Sequence, residues 1–282
     1  MKAPPTAAGL ARGATAVTLA GWYGLVVIFL FAPIVVSVVY SFNVGSLGKQ
    51  TGLFTGWTLH WYPAAWNNLA LRGAVWTSLT AAFWASVLSV IIGTALGIAL
   101  VRHPNPFVRR ALVGLTYLLL IVPETVTGVS LLLFYSVTGV RLSLATLVLG
   151  ITPLAISVTA LIVRAGVLTL DRRLDEAAAD LGSTAWQTLW FVTLPHLLPA
   201  IAAGALMSYV FSFDNLVVST FLTTARVNTL PVYLYGSLQY GPSPAVYAAA
   251  TAVFAFTIVI LAVAGLLYQA VRRRGSRSGR AI

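Results

Sequence analysis

Six carboxylates are all the acid in this 282-residue chain, and where they stand sets the chemistry open to it. Two lie alone in long apolar runs. Glu124 sits within Ile121-Val122-Pro123-Glu124-Thr125-Val126-Thr127-Gly128, and Asp214 within Ser212-Phe213-Asp214-Asn215. A charge at the centre of a spanning helix costs about 2.5–3.5 kcal/mol on insertion scales, so such a group faces a bundle interior or an aqueous path. There it can draw a cation along a route, or it can hold a neighbouring helix by a hydrogen bond; the residues alone leave both open. Pro123 and Gly128 break the helix around Glu124, a common way to expose backbone beside a path. The other four acids, Asp171, Asp175, Glu176 and Asp180, crowd into one of the few polar stretches. Other site chemistries are excluded. There is no cysteine, hence no disulfide, thiolate metal site or cysteine nucleophile. His60, His103 and His196 are far apart and lack ligand spacing, so neither a catalytic nor a metal site is expected.

The elements that must position these groups are membrane helices. Hydrophobic residues make up 59% of the chain and charged ones only 8%, against roughly 25% in soluble domains, too few to cover a water-exposed surface. Six apolar runs reach the roughly 20 residues needed to span a bilayer, at about 14–41, 74–101, 109–136, 142–164, 197–222 and 246–271. The first is too long for a signal peptide and lacks a nearby cleavage site, so it reads as a retained helix. The expectation is therefore a single transmembrane domain over 1–282, an all-α polytopic membrane protein with six transmembrane helices.

Lys and Arg fix the expected orientation. The two termini, the second-to-third loop and the fourth-to-fifth loop hold 13 of them, and the other three loops hold Lys49, Arg72, Arg141 and Arg226. Positive charge marks the cytoplasmic side, so both termini and the 165–196 loop are expected there. The net charge of +11 follows span ends and forms no aromatic-interleaved patch, so a nucleic-acid partner is not expected. The Trp57, Trp61, Tyr62 and Trp66 cluster in outer loop 42–73 reads as an interfacial belt against lipid, and the basic tail Arg272-Arg273-Arg274-Gly275-Ser276-Arg277-Ser278-Gly279-Arg280 as a lipid-facing anchor.

The stretch Leu174–Pro199 reads as two short amphipathic helices. Leu174, Ala177, Ala178 and Leu181 recur at helical spacing, with Asp171 able to cap the start and Gly182 placed for a left-handed turn. Thr184-Ala185-Trp186-Gln187 fits a capping box opening a second helix, whose face carries Trp186, Leu189, Trp190 and Thr193. Pro195 and Pro199 are expected to end it at the entry to the fifth span. Helices lying on headgroups favour Lys and Arg on their polar face. This stretch is net acidic, so a protein partner fits it better than lipid.

Here the residues resemble a known family. Glu176-Ala177-Ala178, Gly182 after three more residues, then Val192 and Leu194-Pro195 are similar to the EAA loop of ABC-importer permeases, with Val192 where Ile is usual. The resemblance implies the MetI-like ABC-importer permease fold and makes Glu176, Ala177, Ala178, Gly182, Val192, Leu194 and Pro195 the residues that dock ATP-hydrolysing subunits. It further implies two such subunits, a second permease subunit that is related but different, and an extracytoplasmic solute-binding protein in a bacterial inner membrane. ATP and Mg would be used by those subunits, with no cofactor on this chain and no enzymatic activity of its own. Ser212-Phe213-Asp214-Asn215, Thr229-Leu230-Pro231-Val232-Tyr233 and Pro123-Glu124 resemble the spermidine/putrescine-type permeases. The substrate so implied is a polyamine or related organic cation, with Glu124, Phe213, Asp214 and Asn215 along its path. Asn215 stands where a second Asp is frequent, and relatives of similar sequence serve other small solutes such as amino acid-like compounds, aminophosphonates or metal complexes. A self-sufficient secondary transporter is disfavoured, because no inverted repeat is visible.

Overall fold

The computed structural model describes residues 7–46, 53–171, 173–239, 241, 243–255 and 258–259. The helices, in chain order, are α1 (Ala7–Ser41), α2 (Trp61–Asn67), α3 (Leu69–Arg102), α4 (Pro106–Ile121), α5 (Glu124–Thr138) and α6 (Leu144–Thr169). They continue as α7 (Arg173–Asp180), α8 (Ala185–Thr188), a π turn (Leu189–Thr193), α9 (Leu194–Phe213), α10 (Val217–Leu222), α11 (Leu230–Gln239) and α12 (Pro244–Ala255). Among the described residues four helical stretches are long and apolar enough to cross a membrane, or five if the bent pair α4–α5 counts as one span. The expected sixth span, 246–271, is described only in its first part. The basic tail, Lys2, Lys49 and Arg172 lie outside the described residues.

Two compact units divide the chain, Met1–Asn68 with Ser237–Ile282, and Leu69–Gly236. In the first, the segment after α1 is organised by the buried Asn43. Its Oδ1 accepts from the Thr55 N–H at 2.7 Å and the Thr55 hydroxyl at 2.9 Å, and its backbone oxygen accepts from the Trp61 indole N–H at 3.0 Å. Trp61 thus serves as an internal donor, whereas Trp57 and Trp66 present exposed rings.

The second unit is built on α3, α6 and α9. Lipid tails are as apolar as leucine, so burial gives spanning helices little reason to associate; close packing and interhelical hydrogen bonds do it instead. Gly93 and Gly97 bring α3 against α6: a Cβ on Gly93 would stand 2.8 Å from the Thr159 Cβ, and one on Gly97 2.8 Å from both the Ala160 carbonyl oxygen and the Val163 Cβ. Gly204 of α9 closes on Thr159 from the other side. Hydroxyls fill the seam. Ser89 donates to the Ala155 carbonyl at 2.7 Å and lies 2.7 Å from the Thr159 hydroxyl, which donates to the Gly204 carbonyl at 3.3 Å. Ser86 donates to the Ala205 carbonyl at 2.9 Å and pairs with Ser208. Gly97→Leu is expected to lower the melting temperature of the detergent-solubilised protein, because the facing carbonyl belongs to a helix backbone and cannot swing aside. Overpacking of this kind costs about 1–3 kcal/mol, and an unchanged melting curve would contradict the close approach.

Two expected spans end differently from their sequence pattern. The third is not one helix: α4 and α5 meet at 94°. Val122, which precedes Pro123, is driven out of the helical region to ψ 125°, and Pro123 follows at ψ 129°. Glu124 therefore opens a new helix rather than standing midway along an old one. The fifth expected span, 197–222, stops at Phe213; Asp214 caps α9 and α10 begins afresh at Val217. Gly128 does not break α5 further. It lets α5 approach Phe221, whose ring a Cβ there would meet at 2.5 Å.

Candidate docking surface and polar helix break

The capped loop is assembled by local chemistry, much as its spacing predicts. The Asp171 carboxylate accepts from the Arg173 N–H at 3.0 Å and caps α7. At the other end the Ser183 N–H reaches the Ala178 carbonyl at 3.0 Å and the Gly182 N–H the Ala179 carbonyl at 2.9 Å, with Gly182 at φ 81°. That is a Schellman ending, which needs a left-handed residue at this position. The Thr184 hydroxyl accepts from the Gln187 N–H at 3.3 Å, and the Gln187 side-chain oxygen accepts from the Thr184 N–H at 2.8 Å, completing the capping box.

The second short helix has no end of its own. α8, the π turn and α9 run on as one apolar stretch, Ala185–Phe213. A proline ring clashes with the carbonyl four residues earlier and leaves that carbonyl without a donor. Ahead of Pro195, the Leu194 N–H bonds to the Leu189 carbonyl, five residues back. This widened turn is where the helix accommodates the proline, so Pro195 stands in the first turn of α9 and Pro199 inside it. With α6 reaching Thr169, the connecting segment narrows from the expected 165–196 to about the residues between Thr169 and Ala185.

The expected docking residues differ in access. Glu176, Ala177 and Gly182 are exposed, Ala178 is buried, Val192 and Leu194 are half-buried in the continuous helix, and Pro195 is exposed. Apolar residues of the same stretch are exposed as well: Leu181 is 88% and Phe191 79% exposed, and Trp186 is exposed with its ring edge-on to Trp190. Asp175 is not part of this open face. Its carboxylate forms a two-pronged pair with Arg102 at the end of α3, Nη2 to Oδ2 at 2.9 Å and Nη1 to Oδ1 at 3.2 Å. Arg102 also donates to the buried Thr193 hydroxyl at 3.0 Å.

At the helix break, the structure brings Glu124 and Asn215 together across 91 positions of sequence. The Asn215 amide donates to the Glu124 Oε2 at 3.0 Å, and its oxygen accepts from the Ser219 N–H at 3.3 Å. Asn215 is 7% exposed, whereas Glu124 is half-buried at the first turn of α5, where a helix N-terminus favours negative charge. Asp214 is exposed, and half-buried Phe213 stacks on Tyr209 with centroids 6.4 Å apart. Of the four candidate path residues, then, two form one contact and Asp214 is turned to the surface. Sequence reasoning missed Arg102, which counted only as a topological charge, and the Gly93-x-x-x-Gly97 spacing, a recognisable signal for close helix approach.

A chain of long apolar helices, broken at a carboxylate and sealed by glycine and hydroxyl contacts, is a multi-pass membrane protein. Residues 89–276 match the family described as binding-protein-dependent transport system inner membrane component, and the chain belongs to that family: it is a permease component of an ABC importer. It is 32% identical over 232 residues to the putrescine transport system permease protein PotI of Escherichia coli (strain K12), covering 79% of this chain and 80% of the relative. It is 30% identical over 250 residues to the spermidine/putrescine transport system permease protein PotC of the same strain, covering 88% and 92%. Solved structures share the fold. A chain of the inward-facing MetNI methionine ABC transporter matches with TM-score 0.57 at 21% identity, covering 71% of this chain and 92% of that one. A chain of a bacterial ABC transporter that imports alginate matches with TM-score 0.64 at 16% identity, covering 94% and 99%.

Proposed function

We propose that this permease moves a polyamine, putrescine or spermidine, or a related small organic cation into the cytoplasm, driven by ATP-hydrolysing subunits that dock on Glu176, Ala177 and Gly182 and their surroundings. The observation that carries the docking half is the α7–α8 segment itself: α7 is capped at both ends and α8 at its start, yet the segment leaves Leu181, Trp186 and an acidic residue exposed beside a small one. Apolar surface of that kind beside polar residues is what a protein interface covers. The polyamine half is supported by the two permeases named above, whose names give putrescine and spermidine, and by a carboxylate at the helix break. Both termini and α7 then lie in the cytoplasm. A second, related permease chain, two ATP-binding subunits using ATP and Mg, and an extracytoplasmic solute-binding protein complete the importer. This chain supplies the route and performs no hydrolysis.

Purification of the chain with its neighbours, followed by reconstitution in vesicles, tests the proposal. Expected are a stoichiometric ATP-binding subunit and putrescine uptake that needs ATP inside the assay. Uptake driven by an ion gradient without ATP would overturn the reading.

A further inference from the structure

Arg102 holds together three pieces that the sequence keeps apart. Its guanidinium forks onto Asp175 in the first turn of α7 and donates to Thr193 in the turn that roots α9. Thr193 in turn donates to the Asp175 Oδ1 at 3.4 Å, closing a triangle. The ionic side chains are 27% and 31% exposed, and Thr193 is buried, so the pair is partly shielded from solvent and salt. A two-pronged arginine–carboxylate contact fixes direction as well as distance, because the planar fork meets both oxygens at once. Beneath it, Val163, Val167 and Leu197 pack with Ile98 and Val101, so the end of α3 is also seated among α6 and α9.

The far end of the same helix carries a second specific contact. The buried Ser78 hydroxyl accepts from the Leu230 N–H at 2.8 Å, which ties α3 to the start of α11. Twenty-four residues of unbroken helix separate Ser78 from Arg102, about 36 Å at 1.5 Å per residue. The i→i−4 hydrogen bonds of an unbroken helix resist bending, so a stiff element joins the two contacts. Displacement of α7 must then either carry the end of α3 with it or break the fork.

We infer that Arg102 is a positioning residue for coupling, a strut that passes movement of α7 to α3 and, through Ser78, to the Leu230 segment at the opposite end. This rests on the reading of α7 as the docking element of the ATP-hydrolysing subunits. Arg102 does not itself belong to the docking surface, since its guanidinium faces inward onto Asp175 and Thr193. Its loss therefore separates hydrolysis from transport rather than removing the driving subunit.

The test uses the complete importer in vesicles, with ATP hydrolysis and putrescine uptake measured on the same preparation and the ATP-binding subunit quantified. Arg102→Gln is expected to retain the subunit at the wild-type ratio and to hydrolyse ATP, while uptake per ATP falls about tenfold, within the usual range of coupling between sites. The exchanged pair, Arg102→Asp with Asp175→Arg, is expected to recover much of that loss. Ser78→Ala, which leaves the fork intact, is expected to lower uptake per ATP in the same way and to leave subunit binding alone. The strut is overturned if Arg102→Gln keeps a normal uptake-to-hydrolysis ratio, if it loses the subunit in step with uptake, or if the exchange rescues nothing. Wild-type preparations without any ATP-binding subunit would instead overturn the docking reading, and the strut with it.

Discussion

Gly182→Pro is expected to leave the chain inserted in the membrane and to reduce ATP-driven uptake by more than about tenfold, the loss that corresponds to 1.4 kcal/mol of docking free energy. The substitution strikes the Schellman ending twice. Proline holds φ near −65° and cannot take the observed φ of 81°. It also lacks the N–H that bonds to the Ala179 carbonyl at 2.9 Å. No side chain crowds the site: a Cβ at Gly182 meets nothing within 4 Å, so the demand for glycine is wholly one of backbone angle. The expected damage is therefore confined to the angle between α7 and α8, and the spanning helices are untouched. Glu176→Lys attacks the same surface through charge alone, since Glu176 is exposed and lies within the first turn of α7. Both variants are checked by co-purification of the ATP-binding subunit and by uptake in vesicles. Retention of the subunit and of normal uptake in Gly182→Pro would rule out this segment as the docking element.

Much of that loop was legible because its determinants are neighbours in sequence. Asp171, Gly182 and the Thr184–Gln187 pair each act on backbone groups within a few residues, so spacing was enough to place them. The prolines misled for a related reason. Pro195 and Pro199 carry a local stop signal, but the π turn over Leu189–Thr193 absorbs the first and α9 continues through the second. At the third span the break at Pro123 could be read from composition. The 94° bend could not, because the direction of α5 depends on its packing against α10 through Gly128 and Phe221. Contacts that join distant segments were hidden altogether. Asp175 looked like one more acid on the docking face until its partner, 73 positions away, came into view. Asn215, read as a departure from a more acidic pattern, turned out to donate to Glu124.

That last contact leads to the second large effect. Glu124→Gln preserves the shape of the side chain and a hydrogen-bonding partner for Asn215, and removes one negative charge at the break between α4 and α5. If the carboxylate meets the substrate cation, the loss is electrostatic. At about 4 Å two unit charges interact by about 4 kcal/mol at the effective dielectric of 20 typical near a protein surface. Much of this is offset by the cation's own desolvation. We expect a fall of about tenfold or more in kcat/KM for putrescine, with ΔΔG‡ read directly from that ratio. The effect should grow with substrate charge and be larger for spermidine than for a monoamine of similar length. Asp214→Asn is the internal comparison. Asp214 is exposed on this chain and stands apart from the Glu124–Asn215 contact, so its loss should cost only a few-fold. Glu124→Asp separates charge from reach: it keeps the carboxylate and shortens the arm that meets the Asn215 amide at 3.0 Å. A cation-attracting role predicts that Glu124→Asp transports better than Glu124→Gln. A purely structural role, in which the contact only holds α5 near the end of α9, predicts the reverse, with monoamine and polyamine uptake falling together. Measurement of all three variants against substrates of one, two and three charges decides between the two.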